Sequence, residues 1–209
     1  MKSAKEYRIA AKERCSQYTK TLIFIALVTL LVGLVISYTV TEEVNVDGVI
    51  VYQSQQPLAF LAIFLTGPLS IGWASVSRIV YNNGELKFAN IFDGFKKHYF
   101  KHAWAYVLQS IYLILWGIIS LGIVTIVKSF SYSMTYYILE ENPELSVNEA
   151  ITQSRKMMKG KKWKLFCLAF SYIGWGFLCV LTFGILSLWV NPRIEQAFYA
   201  FYLDCKSEN

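Results

Sequence analysis

The fold is decided first by residues 21–40, which read TLIFIALVTLLVGLVISYTV and carry no charge. A helix needs about 20 predominantly apolar residues to cross a hydrocarbon core of about 30 Å, so this run predicts a transmembrane helix. A cleaved signal peptide is the alternative, but its apolar region is about 7–15 residues long and ends in small residues. The length of this run and its exit through residues 36–40, ISYTV, favour a span that the protein retains.

Further apolar runs of similar length follow, and together they occupy more than half of the chain. The predicted spans are residues 21–40, 58–80, 104–121, 123–139, 165–181 and 185–203. Short turns at Gly122 and Gly184 divide two apolar stretches that are too long for one crossing. Only 16% of the 209 residues are charged, against roughly 25% in a soluble domain, which leaves no room for a soluble catalytic domain. We therefore expect one all-α polytopic domain over residues 1–209 with six transmembrane helices, and no enzyme.

The charged residues are segregated between the predicted loops. Residues 41–56 hold three acidic residues and no Lys or Arg, whereas 18 of the 20 basic residues lie at the two termini and in residues 78–101 and 140–164. Basic loops remain on the cytosolic side of a membrane. The sequence therefore predicts a multi-pass protein of the cell membrane with both termini in the cytosol and the acidic loop outside.

An internal repeat organises the chain. The predicted repeat relates residues 79–140 to residues 138–203, and a shift of 59 residues pairs Trp116 with Trp175. Each unit consists of a short amphipathic helix followed by a helical hairpin, and the N-terminal segment suggests a third, looser copy. The predicted fold is therefore three hairpins, each preceded by a short cytosolic helix.

The short helices each combine an apolar face with lysines. Phe88 to Tyr99 carry aromatic residues at helical spacing, and Ser146 with Glu149 forms a capping box before an apolar face of Val147, Ile151 and Met158. We expect these faces to lie in the headgroup layer, with the basic residues drawn to anionic lipid by about 1 kcal/mol each. Topology anchors, lipid sensors and docking helices for unknown protein partners all fit this pattern. The position beside the membrane favours lipid over nucleic acid.

Polar residues within the spans form the candidate binding site. A charge at the centre of a span costs about 2.5–3.5 kcal/mol, so it is expected to face a protein interior or a wet cavity. Polar stripes on the second, fourth and sixth spans predict that these three helices line the interior. The predicted site residues are Ser70, Lys128, Tyr132, Arg193 and Glu195.

These residues leave a weakly cationic interior, which suits an anionic group such as a lipid headgroup or a carboxylate. A structural ion pair between Glu195 and either Lys128 or Arg193 is the alternative, and Lys128 could also extend its amine outward to water. Pro68 and Pro192 are predicted to interrupt two of the lining helices. Broken helices often mark transporter sites, but helices also bend at proline merely to pack.

Other chemistry lacks a sequence signal. His98 and His102 have the i, i+4 spacing of metal ligands, but no third ligand lies at useful spacing. Nucleophilic triads, phosphate-binding glycine loops and HExxH are absent from the sequence. We therefore predict no catalytic residue, no metal and no cofactor.

Several runs resemble a known family. They are GPLSIGW at residues 67–73, SFSYSMTYYILEENPEL at 129–145, QSRKMMKGKKWKLF at 153–166 and YIGWG at 172–176, followed by LTFGI. Over nearly the whole chain the sequence resembles the bacterial integral membrane family called domain of unknown function 975. The resemblance implies a six-span protein of the bacterial cytoplasmic membrane and no known activity, because the family is uncharacterised.

Two functional hypotheses follow. The first is a small transporter, a flippase-like protein or an export-accessory component built around the weakly cationic interior. The second is a non-transporting scaffold or stress-tolerance protein that acts through its cytosolic amphipathic helices. A transporter requires a wet cavity that is reachable from one side, whereas a scaffold requires tightly packed spans.

Overall fold

The computed structural model describes residues 2–38, 40–46, 49–55, 57–58, 60–96, 98–120 and 123–208. Most of these residues are helical. Within this part of the chain, three helical stretches are long and apolar enough to cross a membrane, Thr19–Ile36, Leu61–Tyr81 and Lys162–Leu181. They indicate a membrane protein, while the count of six spans and their orientation stay predictions.

The first unit contains a short helix, two long helices and a β-hairpin between them. These are α1 (Ala4–Gln17), α2 (Thr19–Ile36), β1 (Val40–Val46), β2 (Val49–Gln55) and α3 (Leu61–Tyr81). The strands pair antiparallel, with Val44 opposite Val51. The predicted acidic outer loop therefore contains a two-stranded hairpin, and the first long helix ends four residues before the predicted Val40.

The second unit begins with a 3₁₀ helix that runs directly into a helical turn. Its elements are the 3₁₀ helix Phe88–Phe92, α4 (Asp93–Lys96), α5 (Tyr99–Ser120), α6 (Ile123–Tyr132) and α7 (Thr135–Glu141). The predicted fourth span is thus two helices with a break at Ser133 and Met134. The predicted turn at Gly122 lies outside the described residues.

The third unit also begins with a short helix, but its long unbroken helix comes last. Its elements are α8 (Val147–Met157), α9 (Lys162–Phe170), α10 (Ile173–Leu181) and α11 (Ser187–Ser207). The chain turns between α10 and α11, where Gly184 has a φ of 83°, a left-handed conformation that glycine adopts without strain. The turn predicted at Gly184 is confirmed.

Each short helix packs against helices of the unit before it, and α1 closes the ring by packing on the last unit. The Tyr7 hydroxyl of α1 donates to Asp204 of α11 at 2.7 Å. The 3₁₀ helix lies so close to α3 that a Cβ at Gly72 would overlap the carbonyl of Ile91. Ser154 of α8 donates to the carbonyl oxygen of Ser131 in α6 at 2.8 Å. The three units are therefore interlocked.

Helices α3, α7 and α11 pack on one another at the centre of the bundle. The ring of Tyr137 on α7 lies 5.6 Å from that of Tyr199 on α11, and Gln196 donates to the carbonyl oxygen of Ser77 on α3 at 3.4 Å. These helices correspond to the second, fourth and sixth predicted spans. Helices α3 and α11 and the second half of the predicted fourth span, α7, thus lie at the centre of the bundle, whereas the first half of that span, α6, does not.

The two ends of the bundle differ in burial. At one end, where α3, α7 and α11 finish beside α1 and α8, large side chains such as Phe201 and Ile151 are buried; we call this the packed end. At the other end, α2, α5 and α10 finish. Apolar side chains such as Ile118 are exposed there, and α10 has no buried residue. We call this the exposed end. The hydrophobic core thus lies at the end that carries the charges.

The apolar faces of two short helices are covered by protein. Val147, Ile151 and Met158 of the α8 segment are at most 5% exposed, and Tyr7 and Ala11 of α1 are similarly buried. The prediction that these faces lie in the headgroup layer is therefore wrong for α1 and α8, because the neighbouring units already fill that space. Among the described residues of the short helices, the segment after Phe88 keeps the aromatic side chain of Phe92 exposed, and Phe100 is exposed at the start of α5.

Candidate functional site: cationic grooves beside the short helices

The five predicted site residues do not form one site. Glu195 lies at the centre of the bundle, Ser70 lies on α3, and Lys128 and Arg193 lie in two separate grooves at the periphery. Tyr132 is buried and borders the groove next to that of Lys128. The single weakly cationic interior that the sequence suggested is therefore not assembled.

Glu195 belongs to a set of paired polar side chains at the centre. Tyr137 donates its hydroxyl hydrogen bond to the Glu195 carboxylate at 3.1 Å, and Tyr202 donates to Glu141 at 2.7 Å. The ion pair predicted between Glu195 and a cation is not seen among the described residues, where the tyrosine hydroxyl takes that role. Buried polar groups that are paired in this way stabilise one arrangement of the helices.

Further pairs lie at the finishing ends of α3, α7 and α11. Arg78 on α3 contacts the buried Glu140 of α7 at 2.8 Å, and Lys206 on α11 contacts Glu141 at 2.5 Å. Ser70 on α3 donates to the carbonyl oxygen of Thr66, one turn earlier, at 2.8 Å. These contacts pair several polar groups of the central helices within the protein, whereas the buried Ser77 Oγ, Glu140 Oε2 and Gln196 Oε1 have no hydrogen-bond partner among the described residues.

Lys128 opens onto a groove that we call the α8 groove. The groove has a volume of about 320 Å³ and lies between α6, α8 and the start of α9. Its lining consists of Lys128, Ser131, Thr152, Arg155, Lys156, Lys159 and Lys162. Five of these seven residues are cationic, and none of the described residues that line the groove is acidic. Such a cluster attracts an anion, because the repulsion between its members is relieved when a negative charge binds.

Local sequence holds these cations in place. Ser146 and Glu149 cap α8 through reciprocal hydrogen bonds of 3.3 and 2.8 Å, and the side-chain hydrogen bond from Ser146 lowers the pKa of Glu149. After α8 the chain reverses at Gly160, whose φ of 77° is left-handed. The reversal places basic residues on both sides of the turn, so α8 and α9 contribute to the same groove.

An aromatic wall adjoins the α8 groove. A second hollow of about 290 Å³ shares Thr152 and Arg155 with it and is lined by Tyr112, Trp116 and Tyr132. The Lys128 amine lies 3.9 Å from the centroid of the Trp116 ring, a cation–π contact. Lys128 is therefore directed along the wall into the cationic groove.

Arg193 lies in another groove, which we call the α1 groove. It has a volume of about 280 Å³ and is lined by Lys5, Arg8, Ile9, Lys12, Tyr172, Trp175, Val190 and Arg193. Four cations again meet aromatic side chains, and no described lining residue is acidic. Lys128 and Arg193, the two cations of the predicted site, thus each lie beside a group of basic residues on a short helix.

A third groove has mixed charge. It has a volume of about 330 Å³, and its lining includes Arg78, Lys96, Asp93 and Glu140. Asp93 pairs with Lys96 at 2.7 Å, and Glu140 pairs with Arg78 as described above. This groove therefore carries its own counter-charges.

The two histidines border this mixed groove. His102 is buried, and its Nδ1 lies 2.7 Å from the carbonyl oxygen of Gly94; His98 is exposed with a φ of 54°. Within the described part of the chain, no group of three or more His, Cys, Asp or Glu side chains is arranged to hold a metal ion.

Sequence reasoning missed the partners of Lys128. Arg155, Lys156 and Lys159 were assigned to a lipid-facing helix and not to a site with Lys128, since nothing in the chain order joins α8 to α6. One signal was present: residues 155–164 contain six basic residues and no acidic one. A block of this kind next to a span is a candidate for lipid recognition.

Residues 118–209 match the model of a family described as "Protein of unknown function (DUF975)", the family that the sequence resembles. The matched residues include α6, α8 and α9, which line the α8 groove. No curated protein and no solved structure matches the chain significantly.

Proposed function

We propose that this protein is a multi-pass protein of the bacterial cytoplasmic membrane, with both termini in the cytosol, and that it binds the phosphate headgroup of an anionic phospholipid in the α8 groove. The observation that carries this proposal is the cluster of five cations without a lining carboxylate beside an aromatic wall. The proposal assigns no catalytic step to any residue.

The chemistry of the groove suits a lipid phosphate. The Arg155 guanidinium can donate two parallel hydrogen bonds to phosphate oxygens, and the neighbouring lysines add point charges, each contributing about 1 kcal/mol near an anionic surface. Ser131 and Thr152 add hydroxyl groups to the lining. Trp116 and Tyr112 are of the residue types that lie at the headgroup level of a membrane.

The position of the groove also supports a lipid over a soluble anion. Lys128 follows Ile126 and Val127, which are 60% and 46% exposed, and Leu115 on the aromatic wall is 49% exposed. These apolar side chains belong to the exposed end, where acyl chains would cover them. A phospholipid places its phosphate and its acyl chains at the two levels that the groove and the apolar surface occupy.

The pairing at the centre supports binding without a conduit. A transporter built around α3, α7 and α11 requires a wet path between them, but Tyr137, Glu195 and Tyr202 make hydrogen bonds across this space. We therefore favour a non-transporting membrane protein over the transporter, flippase-like and export-accessory hypotheses. Partner docking remains a second candidate for the segment after Phe88, because Phe92 and the following Phe100 are exposed, whereas the apolar faces of α1 and α8 are buried.

Hydrogen exchange at α8 tests the proposal. Protein in detergent micelles is compared with and without phosphatidylglycerol, and exchange is followed in peptides that cover residues 150–162. We expect anionic lipid to slow exchange there, by about tenfold for each 1.4 kcal/mol of binding free energy that stabilises the segment. Phosphatidylcholine, which is zwitterionic, serves as the lipid control.

A pair of variants locates the effect. Arg155→Gln/Lys159→Gln removes two exposed cations from the groove and should abolish the protection. Lys20→Gln/Lys87→Gln removes the same charge from exposed positions elsewhere and should retain it. Equal protection by phosphatidylcholine, or full protection in the groove variant, would show that the groove is not an anionic-lipid site.

A further inference from the structure

The α1 groove resembles the α8 groove in its construction. Lys5, Arg8 and Lys12 have the i, i+3, i+7 spacing of one helix face, while Tyr7 and Ala11 on another face are buried against α11. α1 thus uses one side for packing and presents a second, basic side to the groove. α8 has the same division, since Ala150, Ile151 and Ser154 are buried whereas Thr152, Arg155 and Lys156 are exposed.

The wall of the α1 groove is held by specific contacts. Arg8 donates to the carbonyl oxygen of Ser171 at 3.0 Å, and its guanidinium lies 5.8 Å from the centroid of the Tyr172 ring. Tyr172 donates to the carbonyl oxygen of Arg193 at 3.5 Å. Arg8 is therefore fixed on the wall, whereas Lys5 and Lys12 are exposed at the rim.

The aromatic residues of the two grooves are related by the repeat. Trp175 lines the α1 groove, and Trp116 lines the wall of the α8 groove; these are the tryptophans that the 59-residue shift aligns. In both cases a basic short helix meets the helices of the preceding unit. The third position of the ring is different, because Asp93 and Glu140 neutralise its cations.

The α1 groove also lies beside a lipid-facing surface. Ile9 is 48% and Trp175 is 37% exposed, and Trp175 belongs to α10, which has no buried residue. Acyl chains lying against α10 would bring a headgroup to the level of the four cations. A soluble anion would gain nothing from this apolar surface.

We propose that the α1 groove is a second binding site for the phosphate of an anionic phospholipid, so that the protein holds two such lipids in repeat-related grooves and none in the mixed-charge groove. The lipid chemistry rests on the proposed function, but the second site and the number of bound lipids stand on the contacts of α1 itself.

Native mass spectrometry counts the bound lipids. Detergent-solubilised full-length protein is mixed with phosphatidylglycerol, with phosphatidylcholine or with glycerol 3-phosphate before release from the micelle. We expect two phosphatidylglycerol molecules at saturation that phosphatidylcholine does not replace. Lys5→Gln/Lys12→Gln should retain one, whereas Lys2→Gln/Lys20→Gln, which removes the same number of N-terminal charges outside the groove, should retain two.

The outcomes separate the two proposals. Two lipids on Lys5→Gln/Lys12→Gln, or one on the unmodified protein that disappears only in Arg155→Gln/Lys159→Gln, would overturn the α1 site and leave the proposed function intact. One lipid on the unmodified protein that disappears only in Lys5→Gln/Lys12→Gln would instead overturn the α8 site. Equal binding of glycerol 3-phosphate would overturn the assignment of a lipid to the α1 groove.

Discussion

The packed end and the exposed end belong to the same helices but differ in what covers their apolar side chains. At the packed end, protein covers them: Phe201 and Leu165 are fully buried, and ion pairs surround this core. At the exposed end most side chains of α10 are exposed and none in the second half of α2 is buried, and exposing them to water would cost roughly 25 cal/mol per Å². One end is thus stabilised as a soluble domain is, and the other requires lipid. Both cationic grooves lie between them.

The largest expected difference between the two ends comes from phenylalanine truncation. Phe201→Ala empties a site in the core and should lower the free energy of unfolding by about 3–5 kcal/mol. Phe177→Ala on α10 removes a side chain that is 68% exposed and should change it little, because lipid or detergent replaces the lost contacts. Unfolding in mixed micelles measures both. Similar losses in the two variants would contradict the difference between the ends.

A glycine pair tests the same comparison through the backbone. In Gly72→Ala the new Cβ meets the carbonyl of Ile91. Because both groups are held by backbone, we expect the free energy of unfolding to fall by about 3 kcal/mol, the upper part of the range for overpacking. At Gly33 on α2, a Cβ would have no neighbouring heavy atom within 4 Å, so Gly33→Ala should be neutral or stabilising by about 0.5–1 kcal/mol. A neutral Gly72→Ala would show that α3 and the 3₁₀ helix are not in close contact.

The polar contacts of the packed end should contribute less. Arg78→Gln leaves the buried Glu140 carboxylate without its guanidinium partner. We expect this change to lower the free energy of unfolding by about 1–3 kcal/mol. Lys87→Gln, which breaks the exposed pair of Lys87 with Glu85 at 3.3 Å, should cost about 0–1 kcal/mol. The midpoints of thermal unfolding distinguish the two, and equal shifts would mean that Glu140 is hydrated.

The smallest effect is expected at the start of α8. Ser146→Ala removes the cap and should destabilise the helix by about 1 kcal/mol. The hydrogen bonds from Ser146 lower the pKa of Glu149, so the stabilisation that the Glu149 carboxylate supplies is present above its unfolded pKa and disappears as the pH falls through its folded pKa. Hydrogen exchange of α8 between about pH 3 and 6 should show this loss in the unmodified protein and a smaller loss in Ser146→Ala, because the backbone N–H of residue 146 still donates to the Glu149 carboxylate. The same pH profile in both would exclude the Ser146 side chain as a source of the pH dependence.

The apolar runs were sufficient to predict where the helices lie, but not where they break. α6 and α7 separate at Ser133, and α9 and α10 separate at Ser171. Each serine donates its hydroxyl to a carbonyl three residues earlier, Ser133 to Phe130 at 2.9 Å and Ser171 to Leu168 at 2.7 Å. Such side-chain bonds compete with the helical ladder, and hydropathy alone does not register them.

The β-hairpin had a signal that was available in the sequence. Asp47-Gly48 stands between two runs rich in valine, and this dipeptide between β-branched runs is a strong hairpin indicator. The charge of the loop predicts its side of the membrane but carries no information about this local structure.

The candidate site was only partly predictable because it depends on packing between units. Lys128 and Arg193 were recognisable as charges out of place in apolar runs. Their grouping with Glu195 was wrong, because polar stripes on different helices do not have to face the same space. The contact of Ser154 with Ser131 brings α8 to α6, and a single sequence contains no measure of that contact.

The central claim is that lipid covers the exposed end while water reaches the packed end, with the grooves between them. Nitroxide labels at Val180→Cys and Gln153→Cys test it in a background of Cys167→Ala and Cys179→Ala. The remaining Cys15 and Cys205 are buried, and burial raises their pKa to about 12 and about 11, so they should stay unlabelled at neutral pH. In lipid bilayers we expect the Val180 label to collide mainly with dissolved oxygen and the Gln153 label mainly with a water-soluble nickel chelate. Equal access of the chelate to both labels would contradict the account.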